Sequence, residues 1–286
     1  MTSNRVADLY AATTTRLRSA EIATPEIDAK LLLCGAANLS GTQLVTDPDK
    51  ELDQQSVDRL TGFVERRIAR EPVHRILGQR EFFGLVFELS PETLEPRPDT
   101  ETLVELVLDY VDLHDAMRNQ LRFADLGAGS GAIALALLHN MPNASAVAVD
   151  ISEDALQTVR RNAERHGNLE RLDTVCGNWL EKLNGGFDFV VSNPPYIPSK
   201  TCDELEPEVR NHDPRVALDG GVDGLDCYRL ILSEAASHIV PGGFIGLEIG
   251  YDQLTSVTQL AAEHGWQVAE SRKDLNGNDR AILLTR

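Results

Sequence analysis

The stretch Asp125-Leu126-Gly127-Ala128-Gly129-Ser130-Gly131 constrains the fold of this chain more than any other. An apolar run at Leu121–Leu126 leads into it and a helical pattern starts near Ala132, which places alternate glycines at a strand-to-helix turn. Glycine accepts positive φ and leaves room for a ligand against the backbone, and open α/β sheets bind ligands at the carboxyl ends of their strands. The spacing is G-x-G-x-G followed by Ala132, not the G-x-G-x-x-G of dinucleotide sites, which weakens a nicotinamide reading. No Lys-Ser or Lys-Thr ending marks a phosphate-cradling loop, so no ATP site is suggested.

The sequence after this loop keeps alternating. A strand is expected at Ala144–Val149, then a helix capped by Ser152 with Glu153 and Asp154 in its first turn, and apolar runs follow at 172–176, 187–192, 244–249, 266–271 and 281–284. Such alternation implies a mostly parallel sheet with helices on both faces. The sequence before the loop reads differently. From Val6 to about Arg70 apolar residues recur at helical spacing, and Thr24-Pro25-Glu26 signals a helix start, with Thr24 as N-cap and Pro25 where its missing N–H costs nothing. Between Gly78 and Asp99 the pattern changes to Phe82, Phe83, Val86, Phe87 and Leu89, then to Pro91, Pro96 and Pro98, which suggests a short hairpin or extended linker. Asp99 is expected to cap a helix carrying Leu103, Val104, Leu106, Val107 and Val111. The expected organisation is a helical docking domain at 1–77, a hairpin or linker at 78–98, and an α/β domain at 99–286.

Charge narrows the function classes. The formal net charge is -18, and the nearest thing to a basic stripe, Arg66, Arg67 and Arg70, is flanked by Glu65 and Glu71. Phosphate neutralisation supplies most nucleic-acid affinity, so direct binding to DNA or RNA is not expected. Cys34, Cys176, Cys202 and Cys227 are scattered, as are seven His, without metal-ligand spacing, so they read as reduced thiols and no metal is expected. The beginning MTSNRVADLY lacks an apolar signal core, and no stretch approaches the roughly 18 apolar residues of a membrane span, so a cytoplasmic location is expected.

Asp150 ends the second strand 23 residues after Gly127, where a carboxylate can accept hydrogen bonds from two vicinal ribose hydroxyls. The D-x-G-x-G-x-G pattern with this strand-ending acid resembles that of class I S-adenosylmethionine methyltransferases. Trp179 follows the third strand at the same sheet edge, where its ring either stacks on adenine, a contact worth roughly 0.5–1.5 kcal/mol beyond burial, or fills a gap under a loop. Asn193-Pro194-Pro195-Tyr196 directly follows the apolar run FDFVVS. The prolines fix the backbone and leave carbonyl groups free to accept hydrogen bonds. An amide nitrogen is a poor nucleophile because its lone pair is delocalised, so methylating it demands orientation. The Asn193 side-chain oxygen and the Pro194 carbonyl can hold both N–H hydrogens, and Tyr196 can pack on the planar group. The exocyclic amine of adenine poses the same problem, so both acceptors fit this chemistry.

Beyond these motifs, GQREFFG at 78–84, EPRPDTETLVE at 95–105, DPRVALDGGVDGLDCYR at 213–229 and KDLNGNDRAI at 273–282 resemble the release factor glutamine methyltransferases of the HemK/PrmC family. The resemblance covers most of the chain. It implies a seven-stranded, Rossmann-like class I methyltransferase domain, with a small N-terminal helical bundle that helps to dock the release factor. It implies N5-methylation of the glutamine in the Gly-Gly-Gln loop of peptide chain release factors, with S-adenosyl-L-methionine as cofactor and S-adenosyl-L-homocysteine as product. Asp125, Gly127, Ala128, Gly129, Ser130, Gly131, Asp150, Trp179 and Asn193 would contact the cofactor, and Asn193, Pro194, Pro195 and Tyr196 the substrate. Catalysis would fall to Asn193, Pro194 and Tyr196, in a monomer. Glu95 departs from the family, where an apolar residue is expected, and puts the packing of the linker in question. The alternatives are a ribosomal-protein glutamine methyltransferase and a DNA adenine N6-methyltransferase.

Overall fold

The helical spacing of the first part becomes five helices: α1 (Val6–Ser19), α2 (Pro25–Ala37), α3 (Gly41–Thr46), α4 (Gln54–Ile68) and α5 (Val73–Leu77). The computed structural model describes residues 3–114 and 120–286, and the chain divides after Gly78 into two units. In the first, Leu17, Leu32, Leu33, Leu60, Val64 and Ile76 form the core. Pro25 opens α2 as expected, but the Thr24 hydroxyl makes no cap to the backbone and bonds to the Asp28 carboxylate at 2.9 Å instead. The Arg66, Arg67 and Arg70 cluster is spent on structure: Arg66 pairs with Glu71, Arg67 with the buried Asp28 at 2.7 Å, and Arg70 bonds the Ala20 and Glu21 carbonyls.

The second unit opens with an antiparallel hairpin, β1 (Gln79–Phe82) and β2 (Leu85–Glu88), whose turn residues Phe83 and Gly84 both have positive φ, 51° and 75°. Phe82 and Phe87 enter the core of this unit. Glu95, the departure from the family pattern, is 3 % exposed and ion-paired with Arg80 of β1, so a charge pair replaces the expected apolar contact. Asp99 does not cap a helix. Pro98–Thr100 form a 3₁₀ turn and α6 (Glu101–His114) begins after it, which places the Asp99 carboxylate 3.6 Å from Arg280.

Seven strands follow: β3 (Arg122–Leu126), β4 (Ser145–Asp150), β5 (Leu172–Cys176), β6 (Phe187–Ser192), β7 (Ile239–Glu248), β8 (Gln267–Lys273) and β9 (Asp279–Thr285). Their order in the sheet is β5-β4-β3-β6-β7-β9-β8, with the first five parallel and β9 antiparallel to both β7 and β8. Helices α7 (Ala132–Asn140) and α8 (Glu153–Arg165) share a core with α6. Two short helices, α9 (Ser199–Cys202) and α10 (Pro207–Arg210), lie in the long connection after β6. Helices α11 (Asp226–Glu234) and α12 (Leu254–Glu263) share the second core, through Tyr228, Ile231, Leu232, Val257 and Ala261. The sheet separates the two cores because neighbours along a strand, such as Phe189 and Val190, point to opposite faces.

One row of contacts sets the alignment of the central strands. Phe123, Phe189 and Phe244 are register partners on β3, β6 and β7, and their rings stack at 4.8 Å with interplanar angles of 6° and 7°. Three residues further on, Leu126, Ser192 and Leu247 are again partners, so the segments that leave the sheet after them start at one level. Phe189→Ala removes the middle ring and is expected to cost about 3–5 kcal/mol of stability. A shift in denaturant midpoint measures this, and a change below about 1 kcal/mol would show that the row is not the clamp.

Candidate active site

Four strand ends build the site. After β3, Gly127, Gly129 and Gly131 have φ of 70°, 55° and 80°. Gly127 and Ala128 donate to the Val149 carbonyl at 2.8 and 3.0 Å, which folds the loop over the end of β4. A Cβ on Gly127 would stand 3.6 Å from the Trp179 ring, so glycine sets the distance between loop and indole. The Asp150 carboxylate accepts the Gly129 N–H and the Ser152 N–H, each at 2.9 Å, and burial pushes its pKa above the ordinary carboxylate value. Asn162 of α8 ties the loop to the hairpin: its Nδ2 donates to the Ser130 and Glu88 carbonyls while its Oδ1 accepts the Glu88 N–H at 2.8 Å.

These residues wall a cavity of about 270 Å³ that Gly127, Gly129, Asp150, Trp179, Asn193 and Pro195 share. Two of the four residues expected at the substrate, Asn193 and Pro195, thus share a space with residues expected at the cofactor. Its charged lining residues are Glu92, Asp150 and Asp219, with no Lys or Arg among the described residues. A phosphate-bearing ligand finds no cation there, whereas a cationic sulfonium ligand finds favourable potential. Each Asp150 oxygen accepts one backbone N–H and keeps a lone pair for a ribose hydroxyl, and the indole offers a flat wall. The residues fit S-adenosylmethionine.

Not every expected residue reaches the cavity wall. Asp125 lies beneath the loop with no exposure, and its Oδ2 accepts the Ala134 N–H at 3.0 Å in the first turn of α7. An acid there is favoured by the helix end, yet burial, reinforced by Asp150, pushes it up to about 7. Ala128, Ser130 and Gly131 support the turn rather than line the cavity, with Gly131 donating to the Ala128 carbonyl at 2.8 Å. Pro194 is buried, and neither it nor Tyr196 lines the cavity.

Sequence reasoning missed the residues that hold the Asn193–Tyr196 segment. Asn193 Nδ2 donates to the Thr100 hydroxyl at 3.2 Å, which leaves Oδ1 as the open acceptor. The Tyr196 hydroxyl donates to Glu248 Oε1 at 3.2 Å and lies 3.5 Å from Arg280 Nη1. Burial beside the Glu248 carboxylate raises the Tyr196 phenol well above its ordinary range, so it stays protonated. Gln253 donates to the Tyr196 carbonyl at 3.0 Å, and Ile197 exchanges backbone bonds with Leu218 and Gly220. A Cβ on Gly220 would lie 2.7 Å from the Pro195 carbonyl oxygen, so only glycine admits this strap. The signal for Glu248 was present: a lone acid ending an apolar strand, in FIGLEIG at 244–250.

Comparison with known proteins agrees with this geometry. Residues 8–78 match the PrmC N-terminal domain and residues 105–206 the methyltransferase small domain. The chain is 47 % identical to a release factor glutamine methyltransferase of Agrobacterium fabrum, covering 95 % of this chain and 94 % of that one. It is 46 % identical to one of Bradyrhizobium diazoefficiens, over 93 % and 90 %. Among solved structures, a ribosomal protein L11 methylase from Lactobacillus delbrueckii subsp. bulgaricus shares the fold, with a TM-score of 0.50, 22 % identity, and coverage of 69 % of this chain and 83 % of that one. Asp150→Ala is expected to weaken S-adenosylmethionine binding roughly 10- to 100-fold, the worth of charge-assisted hydrogen bonds. Calorimetric titration measures this, and unchanged affinity would remove Asp150 from the donor site.

Proposed function

The chain belongs to the release factor glutamine methyltransferase family, and from that premise we propose how its residues divide the work. The enzyme methylates a glutamine side chain of release factors with S-adenosylmethionine as donor. Gly127 and Gly129 bring the backbone to the donor, Asp150 accepts its ribose hydroxyls, and Trp179 covers its flat base. When bound, the donor supplies an electrophilic methyl group on a sulfonium. Asn193 Oδ1 and the Pro194 carbonyl accept the two amide hydrogens of the glutamine, and Tyr196 flanks the planar group.

One observation carries this reading: Asn193 and Pro195 line the same cavity as Gly127, Gly129 and Asp150. Orientation then does most of the catalysis, because well-placed reactants recover up to about 7–11 kcal/mol of the barrier. We further assign the acceptor as the glutamine of the Gly-Gly-Gln loop, methylated at N5, with the helical unit aiding docking, and the enzyme as a cytoplasmic monomer that does not bind nucleic acid directly. No described helix is long and apolar enough to cross a membrane. Engagement of Arg66, Arg67 and Arg70 within the first unit supports a protein acceptor over DNA.

The test incubates the enzyme with labelled S-adenosylmethionine and, separately, a release factor, a ribosomal protein and duplex DNA. Label is expected in the release factor, and label in DNA alone would overturn the assignment. Asn193→Ala is expected to lower turnover by about 10²-fold or more while still binding the donor. Normal turnover in that variant would sink the proposed role.

A further inference from the structure

Of the three carboxylates that line the cavity, two are committed. Asp150 accepts two backbone N–H groups at the end of β4 and keeps the lone pairs assigned to the ribose. Asp219 is spent on the strap: its Oδ1 accepts the Ser199 hydroxyl at 2.6 Å and the Gly221 N–H at 3.1 Å, and its Oδ2 pairs with Arg215 Nε at 3.2 Å. Glu92 differs. It is exposed, lines the cavity, and has neither a hydrogen bond nor an ion pair among the described residues.

Backbone rather than a side-chain partner sets the place of Glu92. Ser90-Pro91-Glu92-Thr93 is a turn: Pro91 fixes φ at the second position, the Thr93 N–H donates to the Ser90 carbonyl at 3.2 Å, and the buried Thr93 hydroxyl accepts the Ser90 N–H at 3.0 Å. The next residue, Leu94, lies against the glycine loop, with its backbone nitrogen 3.9 Å from where a Cβ on Gly129 would stand. The turn therefore presents Glu92 beside the loop that follows β3.

Sheet order decides which part of the donor meets that loop. Strands β5, β4, β3 and β6 are neighbours in this order, with Trp179 after β5, Asp150 on β4, the glycine loop after β3 and Asn193 after β6. A base against Trp179 and a ribose on Asp150 send the rest of S-adenosylmethionine across β3 toward Asn193. That remainder is the sulfonium and an amino-acid end whose ammonium is a cation at neutral pH. An ammonium taken out of water needs an anion or other acceptors, and Glu92 is the uncommitted carboxylate on this wall.

We propose that Glu92 is a donor-binding residue that recognises the ammonium group at the amino-acid end of S-adenosylmethionine. This rests on the cavity being the donor site. The ammonium donates charge-assisted hydrogen bonds to the Glu92 carboxylate, whereas the sulfonium has no N–H to donate. Glu92 therefore holds S-adenosylhomocysteine as well as it holds the donor, because the product loses the sulfonium charge and keeps the ammonium.

The experiment titrates the full chain and its Glu92→Gln variant calorimetrically with three probes. These are S-adenosylmethionine, S-adenosylhomocysteine, and methylthioadenosine, which lacks the whole amino-acid end. Glu92→Gln is expected to lose about fivefold or more in affinity for the first two, by similar factors, and to bind methylthioadenosine within about twofold of the unaltered chain. Unchanged affinity for S-adenosylhomocysteine, or an equal loss for methylthioadenosine, overturns the proposal. Asp150→Ala separates the two levels, because it removes a ribose contact that all three probes share. Unchanged binding of all three in that variant defeats the donor site itself, whereas a general loss there beside a normal Glu92→Gln defeats only the role of Glu92.

Discussion

The register of β3, β6 and β7 is the constraint on which the site depends. Phe123, Phe189 and Phe244 stack across these strands within one core, and Asn193 and Glu248 each follow the third residue beyond their ring partners. A slip of one residue moves a strand by about 3.3 Å and turns its side chains to the opposite face. Either displacement would separate Asn193 from the glycine loop or Glu248 from Tyr196. Hydrophobic stacking in the core thus fixes the spacing of polar groups at the edge. Ser192 adds a local lock, its hydroxyl donating to the Leu126 carbonyl at 2.6 Å.

Much of this was legible in the sequence because it is local. The strands at 172–176 and 187–192 fall where the apolar runs placed them, Ser152 caps α8 through the Ala155 N–H at 3.2 Å, and the glycine loop bends as its spacing required. Asp150 and Asn193 reached the cavity because strand ends of a parallel sheet converge. What escaped was non-local. Thr100 meets Asn193 across 93 positions and Glu248 meets Tyr196 across 52, and no periodicity encodes such partners. Asp99 was misread because it sits inside a 3₁₀ turn that opens at Pro98, where the sequence also looks like a helix cap. Asp125 was misplaced because an acid in a glycine motif can serve the ligand or the helix behind it, and here it serves the helix.

Charge distribution gives a second view of the division of labour. Residues 1–78 carry ten Lys and Arg against eleven Asp and Glu, while residues 79–286 carry 17 against 34. The acidity noted for the whole chain belongs almost entirely to the catalytic unit. Inside the cavity it takes the form of Glu92, Asp150 and Asp219, which suit a cationic donor. At the surface an acidic field speeds encounter with a basic partner and disfavours a polyanion.

The central claim is that the fold presents one side-chain amide to the donor, held by its two hydrogens. Fragment mass spectrometry of the release factor after reaction with S-adenosylmethionine tests this directly, because it locates the methyl group. The account predicts a single methyl on the side-chain nitrogen of one glutamine. Methylation spread over lysine, arginine or carboxylate side chains, with that glutamine unmodified, would contradict it.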